Sequence, residues 1–288
     1  MSFGIAPPGF RLPQSTHVGA AHLQVADLTR SLAWYRTILG FRVLRQDGES
    51  AVLGADRPLL HLHLRPGARP VPRRGAYGLF HVAILLPGRP ALGACVAHLG
   101  EQDVRVGMAD HAVSEALYLW DPDNLGIEVY ADRPRSTWKE RRDELVMTTD
   151  PLDAPDLVRA AGGARWQGVP DGTTLGHLHL HVGDLDTARD FYHLALGLDV
   201  TVWHYPGALF LSAGGYHHHL GTNTWSPGPA AAEDEARLLH WELVLPHRDS
   251  VLQAGESLRG AGYGVEQRGD RIATADPWGT ALHLTPRA

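Results

Sequence analysis

The strongest constraint on the fold is an internal repeat. Residues 27–40 and 184–197 share the pattern D-L-x(6)-Y-x(4)-G, and every matched position lies 157 residues apart. A fixed offset of this kind means that one supersecondary unit is present more than once. In the first copy, Asp27 is the predicted N-cap of an amphipathic helix and Gly40 ends that helix.

A second kind of unit follows each of these segments. It begins at GLFHVAILLPG and again at LLHWELVLPHR, where His81 and His240 stand at matching positions, and each copy ends in an Asp-Pro turn and a strand. Short alternating runs around each helix predict strands. The sequence therefore predicts four βαβββ modules, numbered 1 to 4, near residues 17–66, 77–133, 175–225 and 237–286.

A single module of this kind cannot bury both faces of its sheet. Two modules side by side make a curved eight-stranded sheet with a hollow that can hold a ligand. The predicted class is therefore α+β, with four βαβββ modules paired into two curved half-barrel sheets. The predicted domains are residues 1–133 with modules 1 and 2, a linker over 134–173, and residues 174–288 with modules 3 and 4. The linker contains a helical run, DPLDAPDLVRAAGG, that we expect to pack across the junction.

Composition restricts the partners of the chain. The net charge is −6 with no basic stripe, so there is no electrostatic reason to expect nucleic acid or an anionic membrane. No run approaches the roughly 18 apolar residues of a membrane span. The single cysteine, Cys95, excludes an intramolecular disulfide and favours the reducing cytosol. We expect a cytoplasmic protein that acts on small molecules, and a homo-oligomer is compatible with these features.

Histidines are concentrated in the segment GHLHLHVGD, residues 176–184. Side chains alternate along a β-strand, so His177, His179 and His181 would project from one face. Imidazole is a common ligand of iron, zinc and copper. This strand alone fits a metal site and half-exposed structural histidines equally well, so comparison of the repeats decides between them.

The repeated helix, the closing DPDNLGIEVYADRP and the segment GGYHHHLG resemble the vicinal oxygen chelate superfamily, which includes glyoxalase I, bleomycin-resistance proteins and extradiol dioxygenases. The resemblance covers nearly the whole chain and is closest to two-domain bacterial catechol 2,3-dioxygenases. It implies an Fe(II)-dependent extradiol dioxygenase that cleaves a catechol-like or hydroquinone-like aromatic ring and inserts both atoms of O₂. One scaffold carries several chemistries in this superfamily, so the resemblance indicates the fold more specifically than it indicates the activity.

The resemblance implies a metal site of two histidines and one glutamate, which leaves Fe(II) open positions for substrate and O₂. His177 stands seven residues before Asp184, at the place of the family's first ligand. Module 2 offers His81 on its first strand and Glu128 on its last. The expected ligands are thus His81, Glu128 and His177, which requires modules 2 and 3 to face each other. This pairing departs from the usual two-domain extradiol layout, in which both ligand-bearing modules lie in the C-terminal half. Taken without the rest of the motif, Glu128 would also fit a surface carboxylate on an edge strand.

An all-histidine site remains open as an alternative. His177, His240 and His283 would keep the usual pairing of modules 3 and 4. Three histidines suit Zn²⁺ or a less common iron site, and Ni²⁺ and Mn²⁺ are further alternatives to Fe(II).

The resemblance also implies two catalytic side chains. The Gly-x-His-His pattern gives His218 as the acid/base, and Tyr118 lies ten residues before Glu128, at the spacing of the family's substrate-binding tyrosine. A base is needed because a catechol hydroxyl must lose a proton to chelate iron. Strand alternation predicts that the histidines on either side of His218 point away from it. The side chains expected to support ligands or contact substrate are His111, His179 and His217, although His111 also fits a plain loop histidine.

Two other functions remain open. A glyoxalase-type isomerase or lyase would use Zn²⁺ or Ni²⁺ as a Lewis acid and would want a fourth protein ligand, for which His218 is available. A metal-free protein that sequesters an aromatic antibiotic would need neither the His/His/Glu set nor Tyr118 at this spacing. Substitution of Glu128 separates these functions, because only an enzyme would lose metal and turnover.

Overall fold

The computed structural model describes residues 3–71 and 76–287. The strands are β1 (His17–Val25), β2 (Arg42–Gln46), β3 (Ser50–Gly54), β4 (Pro58–Leu64), β5 (Gly78–Leu85), β6 (Gly107–Asp110), β7 (Ser114–Trp120), β8 (Gly126–Asp132), β9 (Glu140–Arg141), β10 (Glu144–Leu145), β11 (Thr174–His181), β12 (Asp199–Val202), β13 (Ala208–Ser212), β14 (Leu220–Asn223), β15 (Arg237–Leu245), β16 (Val265–Arg268), β17 (Arg271–Ala275) and β18 (Ala281–Pro286). The helices are α1 (Leu28–Trp34), α2 (Arg89–Glu101), α3 (Ala154–Ala160), α4 (Leu185–Arg189) and α5 (Arg248–Gly260).

The repeated motif forms the same local structure twice. The Asp27 side chain accepts a hydrogen bond from the Arg30 N–H at the start of α1, and Asp184 caps α4 through the Thr187 N–H in the same way. Each helix runs on into a π-helical turn, Tyr35–Leu39 or Asp190–Ala195. Gly40 then takes a φ of 75°, a left-handed conformation that favours glycine, as the predicted helix end requires.

The strands form two eight-stranded sheets, each built from two modules. The module 1/4 sheet has the order β16-β17-β18-β15-β1-β4-β3-β2, and the module 2/3 sheet has the order β12-β13-β14-β11-β5-β8-β7-β6. The predicted α+β class, with four modules paired into two curled sheets, is confirmed. Strands β9 and β10 form a separate small hairpin.

Each sheet takes one module from either side of residues 134–173. The division into domains 1–133 and 174–288 stays a prediction, and its residues 1, 2, 72–75 and 288 lie outside the described part. The helical run predicted in the linker is α3, which packs on α2. The Leu157 carbonyl lies where a side chain on Gly93 would stand, 2.1 Å from an ideal Cβ, so the two helices touch backbone to backbone.

Two buried tyrosine–aspartate hydrogen bonds join the sheets. The Tyr35 hydroxyl donates to Asp121 Oδ2 at 3.2 Å, and the Tyr192 hydroxyl donates to Asp276 Oδ2 at 2.9 Å. Each tyrosine comes from a repeated helix and each aspartate from a repeated Asp-Pro turn. Because Tyr35 belongs to module 1 and Asp121 to module 2, the bond ties one sheet to the other, and the second bond ties module 3 to module 4.

Helix α2 buries the single cysteine. Burial raises the pKa of the Cys95 thiol to about 12, so the thiol stays protonated and is a poor nucleophile. Over residues 3–71 and 76–287, no helix has both the length and the apolar character needed to cross a membrane.

Asp121 should make the stability of the fold depend on pH. Burial, aided by nearby Asp123, raises the pKa of Asp121 to about 7. The folded state therefore holds a proton that the unfolded state releases near pH 4, so the contribution of Asp121 is full at low pH and is lost as pH rises towards 7. We expect this loss to be roughly 3 kcal/mol between pH 5 and 8.

Asp121→Asn should remove that part of the pH dependence. The amide keeps an oxygen for the Asp123 and Leu125 N–H groups, which donate to Asp121 Oδ1 at 2.9 Å, and it cannot ionise. Urea unfolding at both pH values measures the difference, and Asp171→Asn is the control because that side chain is 66% exposed. Equal pH slopes in Asp121→Asn and the wild type would contradict the prediction.

Candidate metal centre

His81, Glu128 and His177 meet on three adjacent strands of the module 2/3 sheet. His81 lies on β5, Glu128 on β8 and His177 on β11. Both His177 and Glu128 lie opposite Ala83 in the sheet register. The small Ala83 side chain leaves space between the imidazole and the carboxylate, and His81 lies two residues away on the same strand.

The three side chains converge on one point. Glu128 Oε2 lies 2.8 Å from His81 Nε2 and 3.1 Å from His177 Nε2, and the side chains are 2–5% exposed. One ligand atom from each residue lies within 4.8 Å of the others. This is the set that the sequence predicts, and it requires the observed pairing of modules 2 and 3.

Several nitrogens of this cluster lack hydrogen-bond partners. Within the described residues, neither His81 nitrogen makes a hydrogen bond of acceptable geometry, and His177 Nδ1 has no partner. His81 Nε2 is close to the carboxylate, but its N–H direction does not point along that contact. Unpaired buried polar atoms are costly in a native fold. A divalent transition metal held between two imidazoles and a carboxylate would give His81 Nε2 a partner, so the donor set fits such an ion.

The protonation states also suit a cation. Burial lowers the pKa of His177 to about 4, so its imidazole is neutral at pH 7. Burial raises the pKa of Glu128, but His177 and His81 outweigh that effect and hold it well below its usual range. A carboxylate beside a neutral imidazole is the form in which these side chains bind metals.

A cavity of about 260 Å³ adjoins the three side chains. An apolar cavity of roughly 150 Å³ is enough to hold benzene, so this one has room for a single substituted ring. The wall beyond the cluster is largely aromatic. It includes Phe80, Tyr205, Phe210 and Trp225.

Tyr118 and His111 form a hydrogen-bonded pair at the cavity. Tyr118 lies opposite Glu128 in the sheet, and its hydroxyl is 2.6 Å from His111 Nε2. His111 Nδ1 is 2.6 Å from the Thr148 carbonyl oxygen, which can only accept. The network therefore assigns the His111 proton to Nδ1, and Nε2 accepts the Tyr118 O–H. Burial, with Glu128 nearby, raises the pKa of Tyr118, so its phenol stays neutral.

His218 lies in a chain of hydrogen bonds that ends at Asp132. Its Nδ1 is 2.7 Å from His217 Nδ1, and His217 Nε2 is 2.9 Å from Asp132 Oδ1. The carboxylate accepts from His217 Nε2, so His217 Nδ1 accepts the Nδ1–H of His218. The lone pair of His218 is then on Nε2. His218 lines the cavity, its ring centroid lies 4.0 Å from that of His177, and burial lowers its pKa, so its imidazole is neutral.

The predicted alternation around His218 is wrong for His217. Strand β14 begins only at Leu220, so residues 216–219 are irregular and strand alternation does not apply to them. The imidazoles of His217 and His218 consequently lie side by side. His219 does turn away, and its Nδ1 accepts from the Ala213 N–H at 3.1 Å.

The alternative all-histidine site is also wrong. His240 and His283 lie on β15 and β18 of the module 1/4 sheet, whereas His177 belongs to the module 2/3 sheet. The sheets pair module 3 with module 2 and not with module 4, so these three imidazoles are not brought together.

The other two histidines of β11 have different surroundings. His179 pairs with His81 across the sheet and lines the same cavity, and its Nε2 has no partner among the described residues. Its ring fills the space left by the missing side chain of Gly221. His181 lines a separate cavity and its Nδ1 lies 2.7 Å from Asn223 Oδ1, so the three histidines do not share one site.

Sequence reasoning missed several parts of this site. Asp132 is four residues after Glu128 on β8, and alternation with Tyr130 between them could have placed it on the same face. The Tyr216 hydroxyl donates to Asp132 Oδ1 at 3.1 Å and lies 2.7 Å from the Tyr130 hydroxyl. Gly176 is needed here, because an ideal Cβ would lie 1.7 Å from the Tyr130 hydroxyl oxygen. No local pattern in the sequence marks Phe80, Tyr205 and Phe210 as parts of the aromatic wall, because they lie on separate elements that only the fold brings together.

Comparison with known proteins agrees with the fold and the repeat. The model of the Glyoxalase/Bleomycin resistance protein/Dioxygenase superfamily matches residues 15–129 and 174–283. The Catechol-2,3-dioxygenase of Bacillus subtilis (strain 168) is 45% identical over 271 residues, which cover 92% of this chain and 95% of that protein.

Two solved structures share the fold at low identity. A putative dioxygenase from Bacillus subtilis subsp. subtilis str. 168 matches with a TM-score of 0.69 at 15% identity, covering 96% of this chain and 86% of that one. Glyoxalase I from Zea mays matches with a TM-score of 0.59 at 17% identity, covering 94% and 92%. The family match over both halves, together with the 45% identical relative, shows that the chain belongs to the Glyoxalase/Bleomycin resistance protein/Dioxygenase superfamily, also called the vicinal oxygen chelate superfamily.

Proposed function

We propose that the protein is an extradiol ring-cleavage dioxygenase that opens a catechol-like or hydroquinone-like ring with O₂ and holds Fe(II) on His81, Glu128 and His177. The observation that carries the proposal is the convergence of these buried donors on one point beside an aromatic cavity. The 45% identity to a catechol-2,3-dioxygenase over 92% of the chain supports it.

The donor set suits Fe(II) because two imidazoles and one carboxylate leave coordination positions open. When bound, Fe(II) would supply a place where the diol and O₂ meet and a route for electron density from ring to oxygen. Mn²⁺ is compatible with the same donors, and Zn²⁺ or Ni²⁺ would point to other chemistry.

The cavity walls orient the substrate and exclude water. Phe80 and Trp225 pack edge to face with ring centroids 5.7 Å apart, and Phe210 meets the His218 ring at 4.8 Å. Aromatic faces of this kind hold a planar ring between them. Because the donors are almost fully buried, a diol that reaches them leaves bulk water behind.

His218 manages the proton of the substrate. A catechol hydroxyl has a pKa near that of a phenol, so it does not ionise unaided at pH 7. His218 Nε2, with its lone pair free, takes that proton and returns it when the ring opens. His217 and Asp132 are positioning residues, because they fix the tautomer of His218 without lining the cavity.

Tyr118 binds the second substrate oxygen. Its O–H donates a hydrogen bond to His111 Nε2, so the phenol oxygen still has lone pairs that can accept a hydrogen bond from a substrate hydroxyl. His111 in turn is fixed by the Thr148 carbonyl. This pair gives the diol a defined orientation beside Glu128.

The two rival functions gain no specific support. In the described residues, the donor cluster at the cavity consists of His81, Glu128 and His177, and His218 is not among them. This grouping gives no support to His218 as the fourth ligand that a glyoxalase-type isomerase would want. A sequestering protein has no use for a buried carboxylate between two imidazoles. The cytoplasmic location and a homo-oligomeric state stay predictions.

Glu128→Gln should abolish both metal content and turnover. The amide is neutral and a poorer ligand than the carboxylate. Anaerobically purified wild-type protein should therefore contain nearly one iron per chain and the variant almost none, and O₂ uptake with catechol should fall by at least roughly 100-fold in the variant. Metal analysis and an O₂ electrode measure these quantities, with the yellow ring-fission product followed by absorbance. Glu140→Gln, on the exposed hairpin strand β9, is the control and should behave like the wild type. Wild-type protein that holds zinc or nickel and takes up no O₂ would rule out the dioxygenase.

His218→Asn should slow the reaction without removing iron. Loss of the base should lower kcat/KM by roughly 10²- to 10⁴-fold near pH 7. The deficit should shrink as pH rises towards about 9, because the catechol then begins to ionise by itself. A pH series of kcat/KM with metal analysis tests this, and His204→Asn is the control because His204 is 78% exposed. Iron loss in His218→Asn, or a deficit independent of pH, would remove His218 from this role.

A further inference from the structure

The module 1/4 sheet carries its own cluster of imidazoles and a carboxylate, which the proposed function does not use. Its members lie on β1, β4, β15 and β18. They are His22, His61, His63, His240, Glu242 and His283.

His22 is at the centre of this cluster. Its ring stacks on His240 at 3.8 Å and on His61 at 4.2 Å, and His240 stacks on His283 at 4.0 Å. The stacking places several ring nitrogens of different strands close together on one face of the sheet.

The remaining contacts aim His22 at a carboxylate. His22 Nδ1 lies 3.0 Å from His63 Nε2, and His22 Nε2 lies 3.9 Å from Glu242 Oε1. When His22 donates its Nδ1–H to His63, its Nε2 lone pair faces Glu242, as a metal-binding histidine requires. Ligand atoms of His22, His240 and Glu242 all lie within 4.8 Å of one another.

The backbone of β1 is shaped to receive this carboxylate. The Ala20 N–H donates to Glu242 Oε2 at 3.3 Å, which leaves Oε1 on the side of His22. Gly19 has no side chain, and an ideal Cβ there would lie 2.9 Å from the Glu242 side chain. A larger residue at position 19 would push the carboxylate away from His22.

The internal repeat places this cluster at the position equivalent to the first metal centre, but imidazole and carboxylate stand on different strands in the two sheets. His22 pairs with His240 across the sheet as His179 pairs with His81. In the module 2/3 sheet, Ala83 stands between His177 and Glu128. At the matching positions of the module 1/4 sheet, Glu242 lies opposite His283, and Ala20 replaces the other imidazole. The carboxylate thus comes from the middle strand in place of an outer one.

We propose that the module 1/4 sheet binds a second divalent transition-metal ion through His22, His240 and Glu242, with His283 beside them. The imidazole-rich set favours Zn²⁺, Ni²⁺, Co²⁺ or Cu²⁺ over Mg²⁺ or Ca²⁺, which take oxygen ligands. The His22 and Glu242 side chains are 13% and 21% exposed, so an ion can reach them from solvent. This site is independent of the Fe(II) site of the proposed function.

Co²⁺ binding to tag-free protein tests the proposal. Metal-stripped Glu128→Gln should still bind one Co²⁺ per chain, measured by equilibrium dialysis and by the visible absorption of the ion. His240→Gln and Glu242→Gln, each added to Glu128→Gln, should weaken this binding by at least roughly 100-fold. His247→Gln, an exposed histidine in the same module, is the matched control and should bind like its parent.

The two sites are separated by the single variants. His240→Gln alone should lose one Co²⁺ per chain and keep iron-dependent O₂ uptake, whereas Glu128→Gln should lose O₂ uptake and keep the second ion. If the proposed function fails, His240→Gln still loses its ion. If His240→Gln does not fold, the same measurement is made on Glu242→Gln. The proposal is overturned if Glu128→Gln binds no Co²⁺ at micromolar concentration, or if both added substitutions leave its binding unchanged.

Discussion

Everything at the metal centre depends on the antiparallel register between β5 and β11. That pairing sets His179 opposite His81 and His177 opposite Ala83, with β8 bringing Glu128 to the other side of Ala83. Side chains alternate with a period of two, so a slip of β11 by one residue would turn His177 to the face away from His81 and Glu128. The strands β1 and β15 use the same register in the module 1/4 sheet, which explains why a second donor cluster is found at the equivalent place.

Buried polar groups of two kinds have different roles in this fold: those that are hydrogen-bonded between the sheets, and those at the cavity that have no partner within the described part of the chain. Between the sheets, the Tyr35–Asp121 and Tyr192–Asp276 bonds are fully paired, and they fix how one module packs on the next. At the cavity, by contrast, nitrogens of His81 and His179 are left without partners among the described residues. The paired groups help to specify the structure, whereas the unpaired nitrogens at the cavity are ones that the proposed metal ion or substrate would satisfy. The series of hydrogen bonds from Asp132 through His217 to His218 combines both kinds of contact. It is fully paired at Asp132, and it leaves a free lone pair on His218 at the cavity.

The sequence predicted the fold from local patterns, and the family resemblance added the donor set. Matched positions such as Tyr35 and Tyr192 revealed the modules. The resemblance to the vicinal oxygen chelate superfamily, through the position of His177 seven residues before Asp184, picked one imidazole out of three. Prediction failed where local structure departed from a regular period. The segment containing His217 and His218 is irregular, so alternation gave the wrong relation between them, and the partnership with Asp132 spans 85 residues of chain.

By itself, the sequence determined the four modules, their helix caps and the residue types available for a site, because these follow from periodicity and short-range contacts. Only the tertiary structure decided which modules share a sheet. Modules 2 and 3, not 3 and 4, pair along their first strands, and this choice assembled His81, Glu128 and His177 while sending His240 and His283 to the other sheet. The physical reason is that strand pairing is a long-range contact: each module exposes a similar edge, and the complementary packing of the whole chain selects the partner.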